Sequence, residues 1–265
     1  MLTEAKKHLY LLIKYFSFNL KCSMEYRASF IIQIVGMIIN NSSFLFFWWI
    51  IFRNVNNISG YTFSNVMILW GLASSTFGFT YILFGNVANL SETITNGALD
   101  SYMLQPKDII INVCASKTVV SAWGDLLYGY ILLIISGSLT LPNVLLFSLF
   151  IIVGGIIFFA CTLTANSLSL YLGNIENSKR IFDMFFITFS TYPEGIFGKY
   201  IRVIFYSLAP VGFMAYMPVG IMANFSLWKT LLVIAASFFY LAAAYIIFYK
   251  GLKRYESGNL MESKL

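Results

Sequence analysis

The sequence predicts an all-α membrane protein with six transmembrane helices, an N-terminal interfacial helix and an extracellular re-entrant helical hairpin before the last span. Three observations predict it. Of 265 residues, 59% are hydrophobic and only 11% are charged, where an ordinary soluble domain carries about 25% charge. The charges leave uncharged runs that reach or exceed the roughly 20 residues a helix needs to cross about 30 Å of hydrocarbon. Once these runs are threaded through a bilayer, most Lys and Arg residues fall on one side. A disordered chain, a disulfide-stapled secreted domain and an ordinary cytosolic enzyme are excluded, since each needs more charge or more cysteine. The net charge of +6 is read as an orientation signal and not as a nucleic-acid footprint, so no nucleic-acid partner is expected.

Residues 3–27 alternate Lys with apolar side chains. At about 100° per residue Leu9, Leu12, Ile13, Phe16 and Leu20 share a face opposite Lys7, Lys14 and Lys21, the pattern of a helix lying in the membrane interface. The competing reading is a solvated basic leader, because Leu11 and Phe18 interrupt the polar face. A signal peptide is excluded: Lys14 breaks the apolar stretch, no small-residue cleavage pattern follows, and a full span comes directly after.

The spans are expected at 28–52, 65–87, 110–137, 143–172, 176–193 and 230–249. The polar turn from Asn54 to Gly60 separates the first two, and Pro142 suits the first turn of the fourth. Residues 203–224 carry Pro210 and Pro218, and they decide the topology. If they are re-entrant, Lys6, Lys7, Lys14, Lys21, Arg27, Lys107, Lys117, Lys179, Arg180, Lys250, Lys253, Arg254 and Lys264 lie inside. Only Arg53, Lys199, Arg202 and Lys229 then lie outside. If they span, the asymmetry falls to ten against seven, so the positive-inside rule selects the re-entrant form with both termini cytoplasmic. Two prolines so close together also suit a broken hairpin covered by protein.

The longest cytosolic stretch runs over 89–108. Asn89 and Glu92 resemble a helix start, Asn96-Gly97 a left-handed stop, and Pro106 with Asp108 the opening of the next helix. Leu99, Met103 and Leu104 are then apolar residues in a water-facing loop. They form either a docking surface for another protein or a patch folded back onto the bundle.

Several chemistries lack material. There is no Gly-x-x-x-x-Gly-Lys-Ser/Thr, since Gly198-Lys199 is followed by Tyr200, so the chain is not expected to hydrolyse ATP alone. The one histidine, His8, sits in the leader, and Cys22, Cys114 and Cys161 are scattered. No catalytic or metal site is expected. Asp125 falls inside the third predicted span, where a carboxylate is costly unless it pairs or faces a polar cavity. It is either a substrate or proton group or an interhelical hydrogen-bond partner of Asn166 or Ser167. Asp183 follows Lys179 and Arg180 at spacings of four and three, as in a local ion pair. Gly71, Ser74, Ser75 and Gly78 supply a small-residue face for close helix contact.

Together the basic leader, six spans, the stretch Ile94-Thr95-Asn96-Gly97-Ala98-Leu99-Asp100-Ser101-Tyr102-Met103-Leu104-Gln105-Pro106 and the motif Thr191-Tyr192-Pro193 before a proline-containing segment resemble the ABC-2-type transporter permeases. The likeness is to the compact six-helix group of bacterial drug-export permeases. The resemblance implies a single transmembrane domain over 1–265, in the bacterial cytoplasmic membrane, that exports an amphipathic or hydrophobic substrate. It implies a coupling helix over 92–104, with Glu92, Ile94, Gly97, Leu99, Asp100, Met103 and Leu104 docking on a separate ABC ATPase. A smaller contact would come from 173–180, and an outward gate from the re-entrant segment with Tyr192, Pro193, Pro210 and Pro218. ATP and Mg would be bound by that ATPase dimer, with no cofactor on this chain, and a second permease subunit, identical or not, would complete the pathway. Two other classes stay open: a lipid-modifying membrane enzyme built on Asp125 and Glu194, and a non-transporting immunity or accessory protein.

Overall fold

In a computed structural model, residues 2–173 and 175–255 are described, with the side chains of 2–5 and 176–180 left aside. The regular elements are helical. They are α1 (Leu2–Ser23), α2 (Arg27–Phe52), α3 (Phe63–Phe84), a 3-10 turn (Gly85–Asn89), α4 (Leu90–Thr95), α5 (Leu99–Met103), α6 (Ile109–Cys114) and α7 (Ala122–Ile135). There follow α8 (Leu141–Ser167), α9 (Ser169–Leu172), α10 (Glu176–Thr191), a second 3-10 turn (Glu194–Ile196), α11 (Lys199–Phe205), a π-helix (Gly212–Tyr216), α12 (Met217–Ala223) and α13 (Leu227–Leu252). Among the described residues four helices are long and apolar enough to cross a membrane: Arg27–Phe52, Phe63–Thr95, Leu141–Leu172 and Leu227–Leu252. Shorter apolar helices cover Ala122–Ile135, Ile181–Thr191 and Gly212–Ala223.

Helix starts follow local chemistry. Thr62, Thr140 and Ser226 cap α3, α8 and α13 through their hydroxyls, with Pro142 in the first turn of α8. Each cap satisfies a backbone N–H that the helix leaves open. Asn89 makes no such bond. Its backbone lies in a 3-10 turn continuing from α3, so α4 is launched by chain continuity and not by a capping box.

α3 is the central helix. It packs against α7 on one side and α8 on the other, and α13 lies along the far side of α8. The small-residue face predicted on α3 is what meets α7. A Cβ on Gly78 would stand 2.5 Å from the Leu126 nitrogen and 2.6 Å from the Ala122 carbonyl oxygen, and Gly129 is pressed against Gly71 and Ser75. Ser75 Oγ donates to the Leu126 carbonyl at 2.9 Å. Backbones this close gain dispersion contact that larger side chains would prevent.

The segment expected to form the third span, 110–137, departs from a single helix. It is broken at 115–121, leaving α6 and the 14-residue α7, which is about 21 Å long at 1.5 Å per residue. Neighbours satisfy the freed backbone. Thr118 Oγ1 donates to Ile82 O at 3.0 Å, the Val119 N–H to Tyr81 O at 3.1 Å, and Asn19 Nδ2 of α1 reaches Ala115 O at 3.0 Å. Backbone outside a regular helix leaves N–H and C=O groups that need partners of this kind.

α1 meets the bundle through Tyr15, Phe16 and Asn19, while Leu9 and Ile13 of the expected apolar face and Lys7, Lys14 and Lys21 of the opposite one lie on the surface. Tyr15 donates to Asn112 Oδ1, and the Phe16 and Trp123 rings lie 6.1 Å apart. Asn19 supplies a partner to the carbonyl of Ala115 at the break, and Tyr15 bonds Asn112 of α6 beside it.

The segment 203–224 is a chain of short pieces, as two prolines require. Pro210 precedes the π-helix, and Pro218 lies in the first turn of α12. Val211, Met214, Ala215 and Ile221 are buried in the main core, and Tyr216 donates to the Phe189 carbonyl of α10.

Candidate functional site

Two regions gather the polar and exposed groups that sequence reasoning singled out. The first is the folded unit of α4 and α5. Gly97 takes the left-handed conformation at φ 72° and turns the chain between the two short helices, as Asn96-Gly97 predicts. Ile94 and Leu99 are completely buried, in a cluster with Val87, Leu90, Leu163 and Phe248. The expectation that Leu99 is an exposed docking side chain is corrected: the interior of α8 and α13 offers it an apolar cover that a two-turn helix cannot make alone. Leu104, at 87% exposed, and Met103, at 42%, do project, with Glu92 also on the surface.

The unit is tied to the bundle by polar bonds. The Ser91 N–H donates to Asn166 Oδ1 of α8 at 3.3 Å. Asp108 caps α6 by accepting from Ile111 N at 2.9 Å, and its Oδ2 accepts from Tyr249 Oη of α13 at 2.8 Å. Tyr255, just past α13, lies against Asp100. Burial, and then the Asp100 carboxylate, push its hydroxyl up to about 12.

The second region surrounds Asp125 in the first turn of α7. Asn41 Nδ2 of α2 donates to Asp125 Oδ1 at 2.7 Å, and Ser74 Oγ of α3 donates to the Asp125 backbone oxygen at 2.9 Å and lies 3.4 Å from Oδ1. The expected partners on the fourth span are corrected. Asn166 is engaged with α4, and Ser167 Oγ donates to Leu163 O of its own helix. α7 packs on α3 and α2, so its carboxylate faces away from that end of α8. Asn41 is the functional neighbour that sequence reasoning missed. Its signal was the Asn40-Asn41 pair in the middle of an apolar run, because a polar amide inside a span needs an internal partner.

A cavity of about 430 Å³ opens beside this knot between α2, α3 and α10, and Asp183 of α10 contributes to its wall. The partner expected for Asp183, Lys179 or Arg180, lies outside the described side chains. Aromatic rings make much of the wall. Phe44 stacks on Trp70 at 5.4 Å between centroids, and Trp48 meets Tyr192 edge-on at 5.4 Å. Of the four residues expected at a gate, Tyr192 lines this cavity. Pro193, Pro210 and Pro218 do not; Pro210 is buried just ahead of the π-helix and Pro218 in the first turn of α12. Around Glu194, Tyr61 is pushed up to about 12 by burial and then by the Glu194 carboxylate, and Arg202 donates to the carbonyls of Phe197 and Gly195 at 3.0 and 3.1 Å. These bonds hold the 193–198 turn against Ser59 of the opposite loop.

Among the described residues no group of three or more His, Cys, Asp or Glu side chains is placed to hold a metal ion. Comparison with curated proteins and with solved structures finds no match. A family model described as "ABC-2 family transporter protein" matches residues 22–258, nearly the whole of the described bundle. This chain, an integral membrane protein by its long apolar helices, belongs to the ABC-2 transporter family.

Proposed function

We propose that this chain is the permease subunit of an ATP-binding cassette exporter, driven by a separate ATPase pair and working beside a second permease subunit. The observation that carries the reading is the α4–α5 unit, an exposed apolar tip on a rigid, buried base. Leu104 and Met103 project, while Ile94 and Leu99 anchor the unit in the ends of three long helices. A push on the tip is transmitted because close-packed interiors move as blocks and do not deform continuously. The route has two arms. One runs through the 3-10 turn into α3, and the other through Asp108 and Tyr249 into α13.

In this reading the chain crosses the membrane six times with both termini in the cytoplasm, which places thirteen of the seventeen Lys and Arg residues inside. α6, the break and α7 together make the third crossing, α10 makes the fifth, and 203–224 enters from the outside and returns. ATP and Mg belong to the ATPase. The closing of that pair moves the α4–α5 tips and alters the packing of α3 against α7 and α10, where the cavity lies. Purification of the tagged chain from its native membrane tests the assignment. A subunit bearing the phosphate-binding Gly-x-x-x-x-Gly-Lys-Ser/Thr motif is expected with it, in an amount that Leu104→Asp strongly reduces. Absence of any such subunit would overturn it.

A further inference from the structure

A second hollow lies on the outside of the bundle, where α2, α3 and α7 meet toward the C-terminal end of α2. Its volume is about 360 Å³, within the range of ligand sites, roughly 300–1,000 Å³. Leu45, Phe46 and Trp49 of α2, Phe63 and Met67 of α3 and Ile135 of α7 form its wall, with Ser42 farthest from the helix end, and no charged side chain lines it among the described residues. Ser64 Oγ of α3 donates to Ser136 O at 3.0 Å and so fixes the end of α7 beside it. The groove and the cavity beside Asp125 lie on opposite sides of α2. At about 100° per residue, the α2 residues that line one and those that line the other centre on directions roughly 150° apart.

A cation stands at the mouth of the groove. The exposed Arg53, one residue past α2, holds its guanidinium 4.5 Å from the centroid of the Trp49 ring, and Trp49 stacks on Phe46 at 5.4 Å. Arg53 is four residues from Trp49 and shares its helix face, while Trp48 turns the other way to meet Tyr192. α2, α3 and the loop 53–62 between them contain no Asp or Glu, and Glu194 of the neighbouring turn lies beside Tyr61 and Tyr206. From Ser42 to Arg53 the helix rises about 16 Å at 1.5 Å per residue, close to the depth of one leaflet, half of about 30 Å. An apolar groove one leaflet deep with a guanidinium at its polar end fits a lipid better than a second transmembrane helix, which would run on along α2.

We propose that this groove holds a resident phospholipid, its phosphate on Arg53 and one acyl chain between α2 and α3. The planar guanidinium suits a phosphate because it offers two parallel donors to two oxygens. The lipid braces α2, of which the protein itself buries only Asn41 and Trp48. It sits across α2 from the cavity and is a fixed component of the fold, not cargo, so the site does not depend on the permease reading.

The test uses the full chain, stripped of lipid, in detergent micelles doped with phosphatidylglycerol carrying brominated acyl chains, which quench nearby tryptophan. Trp49 emission is taken as wild type minus Trp49→Phe. Quenching that saturates at a low mole fraction of lipid is expected, reversed by unlabelled phosphatidylglycerol. Diacylglycerol with the same chains should compete at least tenfold less well, and inorganic phosphate should not compete. Arg53→Gln should raise the half-saturating lipid fraction about tenfold, while Lys229→Gln, a cation that does not line the groove, should leave it unchanged. Quenching that rises linearly without saturation, as bulk lipid contact gives, would overturn the proposal. Equal competition by diacylglycerol, a comparison needing no variant, would do the same, as would displacement by inorganic phosphate or an unchanged half-saturation in folded Arg53→Gln. Quenching that fades as protein concentration rises would assign the groove to a second copy of the chain instead. None of these readings involves ATP or transport, so their failure leaves the permease reading as it stands.

Discussion

Asn41 of α2 donates a 2.7 Å hydrogen bond to Asp125 of α7, a buried polar link between α2 and the bundle. Of the 26 residues of α2 only Asn41 and Trp48 are buried. The helix otherwise presents Ile31, Ile32, Val35 and Ile39 outward, as a helix in contact with lipid or a partner does. Asn41→Leu is expected to destabilise the protein by about 1–2 kcal/mol, since it strips a buried carboxylate of its donor and apolar packing in lipid replaces little of the loss. The change is read as a lowered unfolding midpoint in mixed micelles. Asn41→Asp should be worse, because it sets two carboxylates against each other.

The contact of α3 with α7 depends on missing side chains. Gly78→Ala would place a methyl 2.5 Å from backbone that cannot yield, and a loss of about 1–3 kcal/mol follows from overpacking. Gly36→Ala, where nothing lies within 4 Å, is expected to be neutral or to gain up to about 1 kcal/mol from helix propensity. Equal effects of the two substitutions on thermal stability would refute the close approach.

Leu99 and Leu104 separate folding from docking. Leu99→Ala should cost about 2–5 kcal/mol, as a large-to-small change in a core does. Leu104→Asp should change stability by less than about 0.5 kcal/mol, yet reduce ATPase co-purification and ATP-driven transport. Intact transport in a folded Leu104→Asp protein would remove the tip from the coupling interface.

Tyr249→Phe deletes the hydrogen bond to Asp108 Oδ2 while leaving the ring in place. A stability loss of about 1–2 kcal/mol is expected for a bond to a carboxylate. Transport per ATP hydrolysed should fall, because α13 loses its direct tie to the start of α6. Asp108→Asn tests the same link, since an amide can still cap Ile111.

The Tyr255 hydroxyl is held neutral by burial and by Asp100, with its folded value near 12 against an ordinary 10. The folded value is the higher one, so the contribution is complete below about pH 10 and is lost as pH rises through about 12. A tyrosinate absorbance titration of wild type minus Tyr255→Phe should show one step near pH 12. A step near 10 would mean that the segment after α13 does not rest on Asp100.

Residue order alone determined the membrane class, the positions of the long helices, Pro142 in the first turn of α8, the turn at Gly97 and the small-residue face of α3. These are local properties: hydropathy over one helix length, a ring that fits a first helical turn, a φ that suits glycine. Tertiary structure decided the rest. The break at 115–121 is a short stretch with Lys117 inside a predicted span, and Asn19, Tyr81 and Ile82 supply its backbone partners from elsewhere in the chain. Leu99 reads as an exposed leucine until α8 and α13 cover it. Asp125 advertises that it needs a partner, yet nothing in its own segment says that the partner is Asn41, some eighty residues earlier. Hydrophobic burial is non-directional and so is written in composition, whereas a hydrogen bond requires two atoms within about 3 Å, and only the packed bundle brings those atoms together.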